Sequence, residues 1–132
     1  FSEFTQKKIE IEISSIKREL EILNLLKINK RLVNPDAVEI RSIAAILHSF
    51  YNGIENILMI KRHRGLLEIF FAPTVSRKFT ISTDLREQLE AYLGFRHFFR
   101  HSYGFQLDWD LFKEIVVNIE TVWKNFTDNL HQ

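Results

Sequence analysis

Residues that break helices are scarce in this chain, and their scarcity constrains its fold more than any other feature. Only 4 glycines and 2 prolines occur among 132 residues. Short strands joined by tight turns need many such residues, whereas long helices exclude them. With 45% hydrophobic and 27% charged residues, the composition is that of a globular protein with one core. The sequence therefore predicts a single all-α domain over residues 1–132.

The apolar residues recur at helical spacing in four long segments. We predict an up-down helical bundle of four long helices plus a short extra helix. The predicted helices are, in order, about Ser2–Lys30, 35–60, 65–71, Thr83–Tyr103 and Asp108–Leu130. Asn34 is the expected N-cap of the second helix, with Pro35 at its first position. The short helix should end before Pro73, and a loop to Ser82 should follow it.

Two details of these helices bear on the site. Three polar residues on the otherwise apolar second helix, His48, Asn52 and Glu55, share one face because they are three or four positions apart. The last helix should bury one apolar stripe. We expect its Trp123, like Trp109, in the core or at an interface. The stripe consists of Leu111, Ile115, Ile119, Val122, Trp123, Phe126 and Leu130.

Composition also narrows the compartment and the kinds of site. Cysteine is absent, which excludes a disulfide framework, a thiolate nucleophile and a zinc site with cysteine ligands, and favours a reducing cytoplasm. No apolar run reaches the ~18 residues that span a bilayer, and no signal-peptide pattern is found. The formal net charge is only +1, so contact with nucleic acid requires a local basic cluster.

Such a cluster lies at the end of the third helix. Arg96, Arg100 and Tyr103 are expected close together on one face, with the pair His97 and His101 beside them. Arginine stabilises negative charge on a phosphodiester, and histidine moves protons near neutral pH. Without a carboxylate cluster for magnesium, metal-free cleavage of RNA through its own 2′-hydroxyl is the natural chemistry. The same residues also fit an ordinary solvated surface, and the histidine pair alone also fits a divalent metal.

The spacing Arg96-x4-His101-x-Tyr103 resembles the R-x4-H-x-Y motif of HepT toxins, a branch of the HEPN superfamily. His97 fits the polar position after the arginine, and the flanking phrases 47–55 and 95–108 are also similar. The resemblance extends over most of the chain. It departs at Ile60–Lys61, where the family tends to have a longer loop.

The resemblance implies a helical homodimer, with a composite ribonuclease site where the motif helices of two protomers meet. Arg96 and His101 would be the catalytic residues, with His97 as a supporting polar group. From position alone we also expect support from Arg100, on the same face of the third helix, and from Glu55, which could orient Arg96 or a histidine but fits a polar contact inside the bundle equally. Tyr103 would be the residue that a nucleotidyltransferase antitoxin modifies with AMP to silence the toxin. No cofactor and no metal are implied.

Two other functions remain compatible with the sequence. The bundle could be a non-catalytic subunit that binds a nucleotide or a nucleotidyltransferase partner, or a purely structural dimerisation domain. A second basic cluster, residues 61–64, could hold RNA backbone, although a solvated loop is the better explanation for it.

Overall fold

Five helices make up the part of the chain that this computed structural model describes, residues 3–71, 81–101 and 108–131, with side chains described at 3–62, 81–100 and 108–131. The helices are α1 (Glu3–Ile28), α2 (Ala37–Phe71), α3 (Thr83–His101), α4 (Trp109–Val117) and α5 (Ile119–Leu130). The predicted all-α helical bundle is confirmed.

Neighbouring helices run antiparallel. Between α1 and α2, Asn56 Nδ2 donates to Glu12 Oε1 at 3.2 Å, and Gly53 lies against Ile16, one turn further along α1. The helix α3 runs antiparallel to the last two helices, because later residues of α3 contact earlier residues of α5 and α4. The pairs are Ser82 with Asn129, Gln88 with Asn125, and Phe95 with Phe112. Antiparallel packing of successive helices is the arrangement of an up-down bundle.

The central helix is α2, which packs against both α1 and α3. Of its side chains up to Arg62, the part that the structure describes, seven are buried in the core: Ile43, Ala44, Ile46, Leu47, Phe50, Ile54 and Ile57. Its segment Ala37–Arg62 is long and apolar enough to cross a membrane by length and composition, but 44% of the tested window is buried inside the bundle. Core packing therefore accounts for part of the apolar character of α2.

The N-cap of α2 is Asp36, and the prediction of Asn34 was wrong. Asp36 Oδ1 accepts from the backbone N–H of Glu39 at 2.8 Å, and Glu39 Oε1 accepts from the backbone N–H of Asp36 at 3.0 Å. This reciprocal capping box satisfies two N–H groups at the start of the helix. Pro35 consequently precedes the cap and does not occupy the first helical position.

The connection from α1 into α2 is tight. Lys30 has a φ of 59°, and the backbone N–H groups of Lys30 and Arg31 donate to the carbonyls of Lys27 and Leu26 at 3.0 and 2.8 Å. These two bonds form a Schellman motif that ends α1. Arg31 then makes two side-chain bonds to the Glu39 carboxylate, at 2.7 and 2.6 Å.

The short extra helix lies elsewhere than predicted. The backbone of α2 continues through Ile60–Lys61 to Phe71 without a loop, so the predicted 65–71 helix is its last part. The last helix is instead divided at Asn118. Tyr92 on α3 donates its hydroxyl to the Ile115 carbonyl at 2.6 Å, and thereby satisfies a carbonyl of the last turn of α4.

The predicted core stripe of the last helix was wrong at its first residue, Leu111 of α4. Phe112 and Val116 are buried, whereas Leu111 is 66% exposed. Phe112 packs on Phe95 of α3, with 5.0 Å between ring centroids, and this contact rotates Leu111 outward by about one residue's turn of ~100°. The other predicted residues from Ile115 to Leu130 are buried or packed against the core.

The start of α3 also differs from the prediction by one residue. Ser82 Oγ accepts from the Leu85 N–H at 3.2 Å, so Ser82 caps the helix in place of Thr83 or Asp84. The described part of α3 ends at His101. The predicted end of this helix at Tyr103 lies outside the described residues. So does most of the loop predicted from Pro73 to Ser82, since residues 73–80 are not described.

Candidate functional site

Arg96 projects from α3 toward α2 and not into solvent. Its side chain is 14% exposed, and its Nη1 lies 3.0 Å from Glu55 Oε1. The same nitrogen donates to Asn52 Oδ1 at 3.1 Å. Both contacts go to Nη1, so the Nε and Nη2 donors of the guanidinium lie outside these two bonds. An anion near α3 would meet an arginine that α2 holds in one orientation.

An aromatic ring lies beneath the guanidinium. The Arg96 Cζ atom is 4.7 Å from the centroid of the Tyr51 ring, a cation–π distance. Burial, and then the Glu55 carboxylate, raises the pKa of Tyr51. Tyr51 therefore stays neutral and supplies a flat surface on which the guanidinium rests.

A histidine completes the contacts on α2. His48 Nε2 lies 3.1 Å from Asn52 Nδ2, and the imidazole is tilted against the Phe99 ring at a centroid distance of 5.4 Å. Burial, and then the positive charges of Arg100 and Arg96, lowers the pKa of His48. The ring is therefore neutral at physiological pH.

The structure brings together some of the predicted site residues. Arg96 and Glu55 are in contact, and Arg100 is exposed on α3, close enough to affect the pKa of His48. His97 is exposed but engaged in an interaction of its own. The backbone of His101 ends α3, while its side chain, and the whole of Tyr103, lie outside the described residues.

Sequence reasoning missed the roles of His48 and Asn52. A signal was present, because both share a face with Glu55 on a helix that is otherwise apolar. Polar residues facing a helix of a bundle must find hydrogen-bond partners there. The sequence did not reveal that the partner of Asn52 is Arg96, because the rotation of α3 about its axis depends on packing.

The remaining candidates have less support as sites. Trp109 and Trp123 are partly buried and pack against the core, as expected. In the basic cluster, Arg62 is exposed and Lys61 half-buried, and the side chains of residues 63 and 64 lie outside the described part. Among the described residues, no three histidine or carboxylate side chains are grouped as metal ligands would be.

A family model described as HepT-like protein matches residues 42–132, more than half of the chain. The chain belongs to the HepT-like family. No curated protein and no solved structure matches the chain. Membership indicates a HEPN-type toxin–antitoxin context, as the resemblance of the motif implied.

The HepT-like segment contains every site residue discussed above. It begins within α2, just before His48, and extends past α5. The helix α1 lies outside the matched segment, yet it packs on α2 beside the site, with Ile16 against Gly53 and Glu12 bonded to Asn56. The motif helix α3 is therefore positioned by its packing on α2. The helix α2 in turn packs on α1, which the family model does not include.

Proposed function

We propose that this HepT-like protein is a cytoplasmic, homodimeric, metal-independent endoribonuclease, the toxin of a toxin–antitoxin pair. The observation that carries the proposal is the placement of Arg96 within the motif. It is half-buried, fixed by Asn52 and Glu55, and supported by Tyr51. A catalytic cation held in advance stabilises developing negative charge without reorganising during the reaction.

In the proposed reaction the RNA 2′-hydroxyl attacks the adjacent phosphorus atom. The bond from phosphorus to O2′ forms and the bond to O5′ breaks, so the products carry a 2′,3′-cyclic phosphate and a 5′-hydroxyl. The 2′-hydroxyl loses a proton and the leaving O5′ gains one. Arg96 stabilises the phosphorane charge, and His101 acts in proton transfer or in phosphate stabilisation. His97 and Arg100 support the site from the exposed face of α3.

Arg96 and Arg100 give the site a local positive charge that one chain's net charge of +1 does not reveal, although the Glu55 carboxylate offsets part of it. A composite site between two motif helices doubles that charge, which suits an RNA backbone. The mode of silencing follows from the same charge. AMP attached to Tyr103 by a nucleotidyltransferase antitoxin would place a phosphate beside Arg96 and His101 and occupy the site.

Cleavage by purified variants tests the catalytic roles. We expect Arg96→Ala and His101→Ala to lower cleavage of a single-stranded RNA by at least ~100-fold, the size of effect that follows loss of an electrostatic or proton-transferring group. Arg86→Ala is the matched control, because Arg86 is an exposed arginine on the same helix, away from the site. Circular dichroism checks that each variant remains folded. Unchanged cleavage in folded Arg96→Ala and His101→Ala would refute the proposal.

The proposed modification has its own test. Intact mass and peptide mapping of the protein, expressed with and without the neighbouring nucleotidyltransferase, should show one or more AMP units on Tyr103 only with the neighbour. A Tyr103→Phe variant should gain no mass. Modification confined to another residue would contradict the assignment of Tyr103.

The pairing of Arg96 with Glu55 favours a second candidate, a non-catalytic subunit that binds a nucleotide or a partner. In that case the arginine charge is partly neutralised to hold the bundle together, and the exposed Arg100 contacts the nucleotide phosphate. This candidate predicts tight binding of a nucleotide or of the nucleotidyltransferase with no RNA turnover. Calorimetry with AMP and ATP, run beside the cleavage assay, separates the two functions.

A further inference from the structure

We propose that His48 and Asn52 are positioning residues for Arg96, with His48 acting as a hydrogen-bond acceptor that fixes the Asn52 amide. The consequence for catalysis rests on the proposed function, whereas the hydrogen-bond chain does not. The chain consists of three side chains on two helices. His48 Nε2 contacts Asn52 Nδ2 at 3.1 Å, and Asn52 Oδ1 accepts from Arg96 Nη1 at 3.1 Å.

The chemistry of the three groups allows one arrangement. A guanidinium has only donors, so Asn52 must direct its carbonyl oxygen toward Arg96. Its NH₂ group then faces His48 Nε2 and donates to it. Because Nε2 accepts, it carries no proton, and the neutral ring bears its proton on Nδ1. A protonated His48 would set two donors against each other and turn the amide away from Arg96.

The positive charges around the ring favour this state. Arg96 and Arg100 reach it from α3, while Glu55, the carboxylate on this face of α2, is bonded to Arg96. Burial and the two arginines lower the pKa of His48, so the acceptor form is the one present at neutral pH. Phe99 lies against the ring and limits its rotation.

A purely structural role does not explain why position 48 is a histidine. Nδ1 is buried, and no hydrogen-bond partner reaches it among the residues that the structure describes. A buried donor without a partner costs about 1–3 kcal/mol. Phenylalanine would pack on Phe99 without that cost. The imidazole is therefore explained by what Nε2 does for Asn52, and through Asn52 for Arg96.

Two substitutions separate the acceptor from the packing. His48→Phe keeps a ring against Phe99 and removes the acceptor, whereas His48→Gln places an amide oxygen where Nε2 was. We expect His48→Phe to lower kcat for RNA cleavage about 10- to 100-fold, the effect of misplacing a catalytic group by about an ångström. Its Tm should stay close to that of the wild type, because relief of the buried Nδ1–H offsets loss of the bond to Asn52. His48→Gln should restore most of the lost kcat.

Nitrogen-15 NMR gives a readout that does not require catalysis. The wild-type ring should show the Nδ1–H tautomer at pH 7, and His48→Phe should speed rotation of the Arg96 guanidinium about its Nε–Cζ bond. An Nε2–H tautomer or an imidazolium in the wild type would overturn the proposal. So would full kcat in His48→Phe, or losses in both variants that simply follow a lower Tm.

The two proposals fail in different ways. A wild-type protein that cuts no RNA, yet shows the Nδ1–H tautomer and a slowed Arg96 guanidinium, would remove the ribonuclease and keep the positioning chain. An active wild type with the wrong tautomer would keep the ribonuclease and remove the chain. Asn52→Leu, similar in size but without hydrogen-bonding groups, should match His48→Phe in kcat, and wild-type kcat in a folded Asn52→Leu would contradict the chain.

Discussion

Two glycines inside helices should respond to alanine with opposite signs. A Cβ added to Gly53 of α2 would lie 2.7 Å from both Cγ1 and Cδ1 of Ile16 on α1, whereas a Cβ on Gly94 of α3 meets nothing within 4 Å. Alanine gains roughly 1 kcal/mol over glycine in a helix interior. Overpacking of a core typically costs about 1–3 kcal/mol. The helix-propensity gain is common to both sites, so it cancels between them.

We therefore expect Gly94→Ala to raise the free energy of unfolding by up to ~1 kcal/mol. The free energy of unfolding of Gly53→Ala should be about 1–3 kcal/mol lower than that of Gly94→Ala. Ile16 is 1% exposed, so its side chain has little space into which to move. Urea unfolding followed by circular dichroism measures both. In an Ile16→Ala background the clash is gone, and Gly53→Ala should become stabilising. Equal effects of the two alanines in the wild-type background would refute the predicted close contact between α1 and α2.

Three further predictions concern the turn and the break in the bundle. Lys30→Gly should raise the free energy of unfolding by about 0.5–1 kcal/mol, because Lys30 has φ 59° and glycine relieves left-handed strain; a loss of stability in urea unfolding would contradict this. Arg31 lowers the pKa of Glu39 from 4.5 to about 2, so the charge stabilises the fold above pH 4.5 and this stabilisation is lost as the pH falls toward 2. The Tm difference between wild type and Glu39→Gln should accordingly shrink over that range, and a constant difference would disprove the link. Tyr92→Phe should cost about 1–3 kcal/mol, because it leaves the Ile115 carbonyl without this donor; calorimetry showing no loss would mean that water replaces the hydroxyl.

Long periodic segments could be predicted from the sequence because each helix must bury one apolar face. The helix content, and most of the core stripe of the last helix, followed from that requirement alone. The ends of helices depended on finer choices. Asn34 and Asp36 are both good caps, and Asp36 is the cap because Glu39 stands three residues later and reciprocates.

Contacts between helices were harder to predict. Leu111 and Phe112 both fit an apolar stripe, and only the contact of Phe112 with Phe95 decides which is buried. The candidate site shows the same limit. The motif identified Arg96 from spacing, but its bond to Asn52 depends on how α2 and α3 pack. Residues that act through tertiary hydrogen bonds leave a weak trace in one sequence, a polar group on an apolar helix.

We propose that Arg96 and His101 support RNA cleavage through the substrate's own 2′-hydroxyl. The most direct test is to analyse the ends of the RNA products after incubation with the unmodified protein in EDTA. We expect cleavage products with 2′,3′-cyclic phosphate and 5′-hydroxyl ends, and no such products with Arg96→Ala. Products with 3′-hydroxyl and 5′-phosphate ends, or no products from the folded wild type, would contradict it.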